Sequence, residues 1–390
     1  MVNKKNKFKA LTGDYAVAEA MRQINPEVVA AYPITPQSQI MEKFSQFVAD
    51  GKVETELVTV ESEHSAMSAC IGASASGARA MTATSSVGLA LMWEVCGAAA
   101  GLRLPIVMPV VNRALSAPIN IHCDHSDSMG ARDLGWIQLY SETAQEAYEH
   151  TLLAVRLAEA VMLPVMIMQD GFVTSHGVVN VKVHDDDKVR KFLGEYKSKY
   201  GLLAPGKPVT YGPIQLQDYY FETFFQRIEA MERVFKIYPK ITDELKKVTG
   251  NNYPYIEEYQ TKDADAVIVV LNSTAGTTKV VVDKLRKQGK KVGLLKIRMF
   301  RPFPYEEVGR ALRRVKRVAV LDRSTSIGAE APIYGEVKSA LYNVGVNVPL
   351  QSYLFGMGGR DIYEAEIEQV FGDLLKGKGS EEMRYIGLRK

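Results

Sequence analysis

Cysteine is scarce in this chain. Among 390 residues only Cys70, Cys96 and Cys123 occur, spaced 26 and 27 residues apart, and no CxxC pair exists. A cysteine-only zinc site, a disulfide framework and an iron–sulfur cluster held by this chain alone are thereby excluded, and a reducing cytoplasmic setting is expected. An excess of one charge is also missing. Lys plus Arg number 48 against 45 Asp plus Glu, a net of +3, which gives no electrostatic reason for a nucleic-acid or anionic-membrane partner. Long apolar runs are absent too. The longest uncharged apolar-leaning stretch, Met81 to Trp93, stops at Glu94, short of the roughly 18 residues a membrane span needs. The lysine-containing N-terminus MVNKKNKFKALTGDY has no apolar segment behind it, so it does not read as a secretory signal. Nucleotide fingerprints fail as well: GMGG at Gly356–Gly359 lacks the third glycine, and Gly72–Gly77 lacks the Lys-Ser/Thr of a phosphate loop. No HExxH, GxSxG or EF-hand loop is present.

What is present is an ordinary globular composition, 46% hydrophobic and 24% charged. At about 150 residues per domain the length suggests two to three domains. Over the first 180 residues, helical periodicity alternates with short apolar runs, the pattern of an α/β domain. Six runs read as strands: Val28 to Tyr32, Leu57 to Val60, Ala78 to Ala83, Ile106 to Val111, Ile137 to Leu139 and Val165 to Met168. Helices are expected from an Asp14 cap to Ile24, then over Gln37–Ala49, Glu63–Ser76, Gly88–Gly101 and Ala144–Ala160. From about Asp185 to Tyr259 the pattern turns to charged helical segments, a linker or arm. Its Tyr and Phe run, Tyr219 to Phe225, could face a partner, but helical spacing favours the inner face of a helix packed on its own domain. A second α/β unit follows from Ala266, with four strands and three helices in a small, mainly parallel sheet.

In open α/β sheets ligands bind at the carboxyl ends of strands, so polar residues at strand-to-helix junctions stand out. Three such junctions do. In YPITPQSQ, Pro33 and Pro36 bracket Ile34 and Thr35, holding Thr35 on a stiff loop or placing it as a helix cap with Pro36 in the first turn. In ELVTVESEHSAM, Glu61, Glu63 and His64 begin a helix, where the plain reading of either glutamate is a first-turn charge favoured by the dipole. In VMPVVNRALSAPINIHCDHSD, Asn112 and Arg113 end a strand, and His122, Asp124, His125 and Asp127 follow in a polar loop. Arg113 offers a fork for a carboxylate or phosphate. The His and Asp spacing does not suit a metal site.

At these junctions the sequence resembles the alpha subunits of the 2-oxoacid:ferredoxin oxidoreductases, most closely the pyruvate-specific, multi-subunit type. The matching stretches are YPITPQSQ, VESEHSAMSA, GARAMTATSS, LPIVMPVVNRALSAPINIHCDHSD and, further on, KIRMFRPFP, VLDRSTSIGAEAP and FGMGGRDI. The resemblance implies a doubly wound, pyrimidine-type thiamine-diphosphate domain (1–258, with a helical arm over about 185–258) followed by a transketolase C-terminal-like α/β domain (259–390). It implies oxidative decarboxylation of a 2-oxoacid, with transfer of the acyl group to coenzyme A and of electrons to ferredoxin. Glu63, not Glu61, matches the glutamate on the aminopyrimidine ring. Thr35 and Arg113 match the pair that holds the substrate, Pro33 and Ile34 lie on the cofactor side, and Asn112, Asp124 and His125 fall in a loop beside the site with no assigned role.

Absence then gains meaning. Neither GDY at Gly13 nor QDGF at Gln169 fits the GDG…N pattern with which thiamine enzymes hold the diphosphate and Mg2+. The resemblance therefore implies a beta subunit carrying the Mg-diphosphate site, and gamma- and delta-type subunits carrying [4Fe-4S] clusters and coenzyme-A-related parts, in a dimer of hetero-oligomers. The small-residue helices near Ala66–Ala75 and Gly88–Gly101 are expected at such an interface. A dicarboxylate substrate would require a second cation near Thr35, and none is visible, which favours pyruvate over 2-oxoglutarate; 2-oxoisovalerate and oxalate remain alternatives. A non-catalytic scaffold would need none of Glu63, Thr35 and Arg113.

Overall fold

The structure is a computed structural model, and it describes residues 7–377 and 382–389. In its first part, in chain order, lie β1 (Lys7–Leu11), α1 (Gly13–Ile24), β2 (Val28–Ala31), α2 (Ser38–Ala49), β3 (Glu56–Thr59), α3 (Glu63–Ser76), β4 (Ala80–Met81), α4 (Ser86–Leu91), α5 (Trp93–Gly101) and β5 (Val107–Asn112). There follow α6 (Ser126–Gly130), β6 (Ile137–Ser141), α7 (Ala144–Val161), β7 (Val165–Asp170), β8 (Val179–Val183), α8 (Asp186–Leu193) and α9 (Tyr220–Thr249). The remainder holds β9 (Ile256–Tyr259), β10 (Ala266–Val270), α10 (Thr274–Lys287), β11 (Val292–Ile297), β12 (Met299–Arg301), α11 (Tyr305–Leu312), β13 (Arg317–Asp322), α12 (Pro332–Asn343), β14 (Leu350–Leu354), α13 (Glu364–Leu375) and β15 (Arg384–Tyr385).

The strands β5 and β7 are buried along their whole length, because helices cover both faces of the sheet they centre. That sheet has seven strands in the order β12-β6-β7-β5-β4-β2-β3. Six are parallel, and they correspond to the six apolar runs. The seventh, β12, comes from the KIRMFRPFP stretch and pairs antiparallel with β6, Met299 opposite Leu139. A second sheet runs β15-β14-β13-β10-β11-β9, with β9 antiparallel to β11. Two short edge strands thus join the four expected ones, and α13 joins the three expected helices. A separate ribbon pairs β1 with β8, Lys7 opposite Val183.

Four expectations need correction. Asp14 does not cap α1: Thr12 does, its Oγ1 accepting from the Tyr15 N–H, while Asp14 is fully buried one position into the helix. The helix expected over Gly88–Gly101 is broken at Met92 into α4 and α5. Thr35 does not cap α2, and Pro36 is not in its first turn: the helix begins at Ser38 after Gln37, which makes no side-chain cap bond. The aromatic run is not an inner face. Tyr219, Tyr220 and Phe221 are exposed, Phe221 by 70%, and the packed part of α9 lies further on, where Ala230, Val234, Tyr238, Ile241 and Leu245 enter the core of the first sheet. At the start of α8 the Asp185 side chain accepts from the Asp187 and Lys188 N–H groups.

A buried ion network joins the two sheets. Lys296, 1% exposed, reaches Glu142 at 2.6 Å and Glu146 at 2.7 Å from the β6–α7 region, and Glu257 of β9 at 3.1 Å. Arg298 adds Glu257 at 2.9 Å and Glu146 at 3.2 Å. Burial alone would raise these carboxyls, but Lys296 and Lys279 outweigh it at Glu257 and bring it down to about 2. Glu146 is held below the usual carboxylate range against burial by Arg298 and Lys296. Among the described residues, no helix is long and apolar enough to cross a membrane.

Candidate active site

The parallel strands of the first sheet present their carboxyl ends along one edge. The chain leaves β2 toward β3 on one side and returns to β4 on the other, so the crevice between β2 and β4 is the topological switch point. All three predicted junctions open there or beside it. After β2 comes the Pro33–Gln37 turn, on which Pro33 and Thr35 are exposed and Ile34 half-buried. Buried Gln37 braces the turn by accepting the Ile34 N–H at 3.2 Å.

After β3, Ser62 caps α3 by accepting the Ser65 N–H at 3.2 Å, so the first-turn N–H groups need nothing from Glu63. Glu63 is 6% exposed, and its carboxylate makes no hydrogen bond or ion pair among the described residues. Most of the residue is enclosed, and no side chain among the described residues takes up its carboxylate. Glu61, by contrast, lies at the surface and accepts from the Ser65 hydroxyl, which lowers its pKa. The plain first-turn reading therefore suits Glu61 and not Glu63. Facing Glu63 is Gly88 of α4: a Cβ there would lie 2.7 Å from Glu63 Oε1 and 2.6 Å from Thr84 Oγ1. The hydroxyls of Thr84 and Ser85, both fully buried, also lack hydrogen-bond partners among the described residues.

After β5, Arg113 is 6% exposed and anchored on backbone carbonyls: Nε donates to Asn120 O and Nη1 to Thr35 O, each at 2.9 Å. Its Nη2 makes no hydrogen bond among the described residues. The geometry thus brings Arg113 and Thr35 together. Beneath them Asp127 accepts backbone N–H bonds from Ser86 and Arg113, each at 3.0 Å, and an Asn112 Nδ2 bond at 2.8 Å. Its carboxyl rises to about 6 through burial, against those bonds. Asp127 ties the starts of α4 and of the Arg113 loop together.

Asn112, Asp124 and His125 are buried and bonded within the protein. Asn112 holds Asp127 and Ser128, and Asp124 accepts from Ser126 N at 3.0 Å and from Gly358 N at 3.2 Å. His125 Nε2 lies 2.8 Å from Asp170 Oδ1. Asp170 is a junction between the sheets: it also takes Asn272 Nδ2 at 2.9 Å, Ser273 N at 3.2 Å and Arg323 Nη1 at 3.2 Å. Burial raises its carboxyl, but the His125 imidazole and the Arg323 guanidinium together hold it well below the usual range. Cys123, His125 and Asp170 converge closely enough for a metal, yet the Arg323 guanidinium already occupies the same carboxylate, so the charge balance there needs no cation.

Sequence reasoning missed Thr84, Ser85, Gly88, Asn120, Asp127 as a tie, Asp170, Asn272 and Arg323. Thr84, Ser85, Asn120, Asp127 and Arg323 lay unassigned inside the stretches that carry the resemblance, Gly88 only opened an expected helix, and Asp170 left a trace in the near-miss QDGF. They matter through contacts that bring together segments far apart in the chain.

The fold defines a doubly wound α/β module with its crevice at the strand ends, and comparison with known proteins identifies it as one of the thiamine-diphosphate-binding type. The family model described as pyruvate flavodoxin/ferredoxin oxidoreductase, thiamine diP-binding, matches residues 19–243, and that for pyruvate:ferredoxin oxidoreductase core domain II matches residues 264–367. The chain is 59% identical over 384 residues to the pyruvate synthase subunit PorA of Thermotoga maritima, covering 98% of both chains. It is 42% identical over 387 residues to the ketoisovalerate oxidoreductase subunit VorA of Pyrococcus horikoshii, again covering 98% of both. Among solved structures, a 2-oxoglutarate:ferredoxin oxidoreductase from Magnetococcus marinus superposes with a TM-score of 0.76 at 19% identity, over 95% of this chain and 66% of that one. A split-gene transketolase superposes at 0.56 and 12% identity, covering 95% of this chain and 99% of that one. The chain belongs to the pyruvate:ferredoxin oxidoreductase family and is a subunit of an oxidoreductase.

Proposed function

We propose that this chain is the alpha subunit of a pyruvate:ferredoxin oxidoreductase, which converts pyruvate, coenzyme A and oxidised ferredoxin to acetyl-CoA, CO2 and reduced ferredoxin. The observation that carries this reading is that Glu63, which makes no hydrogen bond among the described residues, and Arg113, anchored on Thr35 O with no hydrogen bond on Nη2 among them, both stand at the carboxyl ends of parallel strands in a sheet of this family. The residues fit half of a thiamine diphosphate. Glu63 and the unpartnered hydroxyls of Thr84 and Ser85 suit the hydrogen-bonding edge of the aminopyrimidine, with Pro33 and Ile34 on the same side. The diphosphate and Mg2+ have no matching GDG…N pattern in this chain, so a beta subunit supplies that site. The clusters of metal-ligating side chains among the described residues hold at most one cysteine each, so [4Fe-4S] clusters belong on further subunits. The two parts of the chain, the second opening with β9 at Ile256 a little before the expected boundary at 258/259, divide the work between the pyrimidine site and its support, in a cytoplasmic dimer of hetero-oligomers.

When bound, thiamine diphosphate supplies the nucleophilic carbon and the electron sink for decarboxylation. The side chains do the rest. Glu63 holds the pyrimidine nitrogen as a hydrogen-bond acceptor from a buried, low-dielectric position. Arg113 turns Nη2 toward the 2-oxoacid carboxylate, and Thr35 Oγ1, which caps nothing, donates to the substrate oxygen.

Glu63→Gln keeps the shape but removes the anionic acceptor. Turnover of the reconstituted complex is expected to fall by at least about 10²-fold, with the thermal transition unchanged; near-normal turnover overturns the reading. The 42% identity to a ketoisovalerate oxidoreductase subunit supports one alternative, the same chemistry on a branched 2-oxoacid. Specificity constants for pyruvate and 2-oxoisovalerate, measured side by side on the complex, decide between them.

A further inference from the structure

We propose that Asn120 is a positioning residue through which the second α/β unit sets the guanidinium of Arg113. This inference rests on the reading of Arg113 as the partner of the substrate carboxylate. The loop after β5 closes on itself where the Ala114 N–H meets His122 O at 3.0 Å, which puts Asn120 on the returning limb. Its backbone carbonyl receives Arg113 Nε at 2.9 Å. Its side chain is committed at both ends: Nδ2 donates to Gly358 O at 2.9 Å, and Oδ1 accepts the His122 N–H at 2.7 Å. Gly358 belongs to the FGMGG turn after β14, so one side chain links the second sheet to the peptide that holds the arginine.

Two more bonds fasten the same limb, from Gly358 N to Asp124 Oδ2 at 3.2 Å and from His125 N to Arg323 O at 2.9 Å. The approach is close enough to demand glycine. A Cβ at Gly358, where φ is +60°, would lie 2.4 Å from Asn120 Nδ2, and one at Gly359 would lie 2.2 Å from His122 Cβ. Beyond this clasp the loop tip stands in solvent, with Ile119 79% exposed.

An arginine carries about 2 kcal/mol of rotamer entropy, so the plane of its fork must be fixed from outside. One anchor, Thr35 O, comes from the first unit. The other, Asn120 O, is held in place from the second. The guanidinium is therefore aimed by the docking of the two units on each other, although Asn120 touches no substrate.

The test uses the reconstituted complex with pyruvate as the varied substrate. Asn120→Ala is expected to raise KM for pyruvate about 5- to 10-fold, the scale of one lost hydrogen bond, with kcat and half-saturation for thiamine diphosphate within twofold. Asn120→Asp keeps the acceptor for His122 but loses the donor to Gly358, and it is expected to shift KM in the same direction. In an Arg113→Ala background the Asn120→Ala effect should vanish, because coupled residues are not additive. An unchanged KM for Asn120→Ala alongside a raised KM for Arg113→Ala overturns the proposal. So does full additivity of the two substitutions. A KM unmoved by Arg113→Ala would instead refute the role of Arg113 itself, which keeps the two failures apart.

Discussion

Replacing Gly88 with alanine tests the geometry of the Glu63 site by the smallest available change. The added methyl would sit 2.6 Å from Thr84 Oγ1, 2.7 Å from Glu63 Oε1 and 2.9 Å from Glu63 Cγ. The Thr84 backbone is fixed, its N–H and C=O both bonded across to β5, through Pro109 O at 3.1 Å and Val111 N at 3.0 Å, and turning its hydroxyl aside leaves both Glu63 contacts in place. The glutamate has to move. Reaching ordinary contact requires a shift of roughly 0.7 Å, and displacements approaching about 1 Å cost up to ~10²-fold in rate. We therefore expect kcat to fall about 10- to 100-fold in the reconstituted complex, with a raised half-saturation for thiamine diphosphate. Folding should survive. Alanine gains up to about 1 kcal/mol over glycine inside a helix, and crowding in a packed core costs about 1–3 kcal/mol. The assay is 2-oxoacid-dependent reduction of a low-potential acceptor, run beside a denaturation curve for the same variant. A folded Gly88→Ala enzyme with kcat within twofold of wild type would refute the claim that the Glu63 carboxylate must stand where it does.

Other consequences can be checked on the chain itself. Lys296→Met removes the cation that reaches all three of Glu142, Glu146 and Glu257, leaving Lys279 on Glu142 and Glu257 and Arg298 on Glu146 and Glu257, and urea unfolding should show a loss of about 1.5–3 kcal/mol; a loss below about 0.5 kcal/mol would mean that Lys296 is not holding the sheets together. Asp322 accepts the N–H groups of Ile333 at 2.8 Å and Tyr334 at 3.1 Å, and burial, against those bonds, raises its carboxyl to about 7. Because this folded-state value lies above the unfolded one, near 3.9, its contribution to stability is complete below pH ~4 and lost as pH rises through about 7. The stability of wild type relative to Asp322→Asn should therefore decline between those values by up to about 4 kcal/mol, and a flat or rising difference contradicts the assignment. Phe221→Ser should change stability by no more than about 0.5 kcal/mol, while Leu245→Ala, further along the same helix, should cost about 2–5 kcal/mol.

What could be read from residues alone was whatever local chemistry decides. The limits of α3 were legible because Ser62 can cap and Gly77 can stop the helix in the left-handed region, with φ at +107°. The six parallel strands were legible as apolar runs bounded by turn residues. β12 was not, because three residues carry no periodicity and its partner β6 lies some 160 residues earlier. Glu63, Thr35 and Arg113 fell at junctions where the sheet rule looks for ligands, and Arg113 does meet Thr35. The tie through Asp170 was invisible, since its partners Asn272, Ser273 and Arg323 are meaningful only once the two sheets are docked. The aromatic run of α9 was misread because helical spacing reports that a face exists and not whether this chain covers it.

The borrowed strand β12 has a consequence for how the molecule comes to exist. The outer edge of β6 is completed by Met299–Arg301, so during synthesis that edge stays open after β7 has emerged, while the long helix and three strands of the second sheet, β9, β10 and β11, are made. An unpaired edge is a template for wrong pairing, and closing it is a high-separation contact of the kind that slows folding. The N-terminal part therefore cannot mature as an independent domain ahead of the rest, and a nascent chain truncated before Met299 would be expected to recruit holdase chaperones or aggregate.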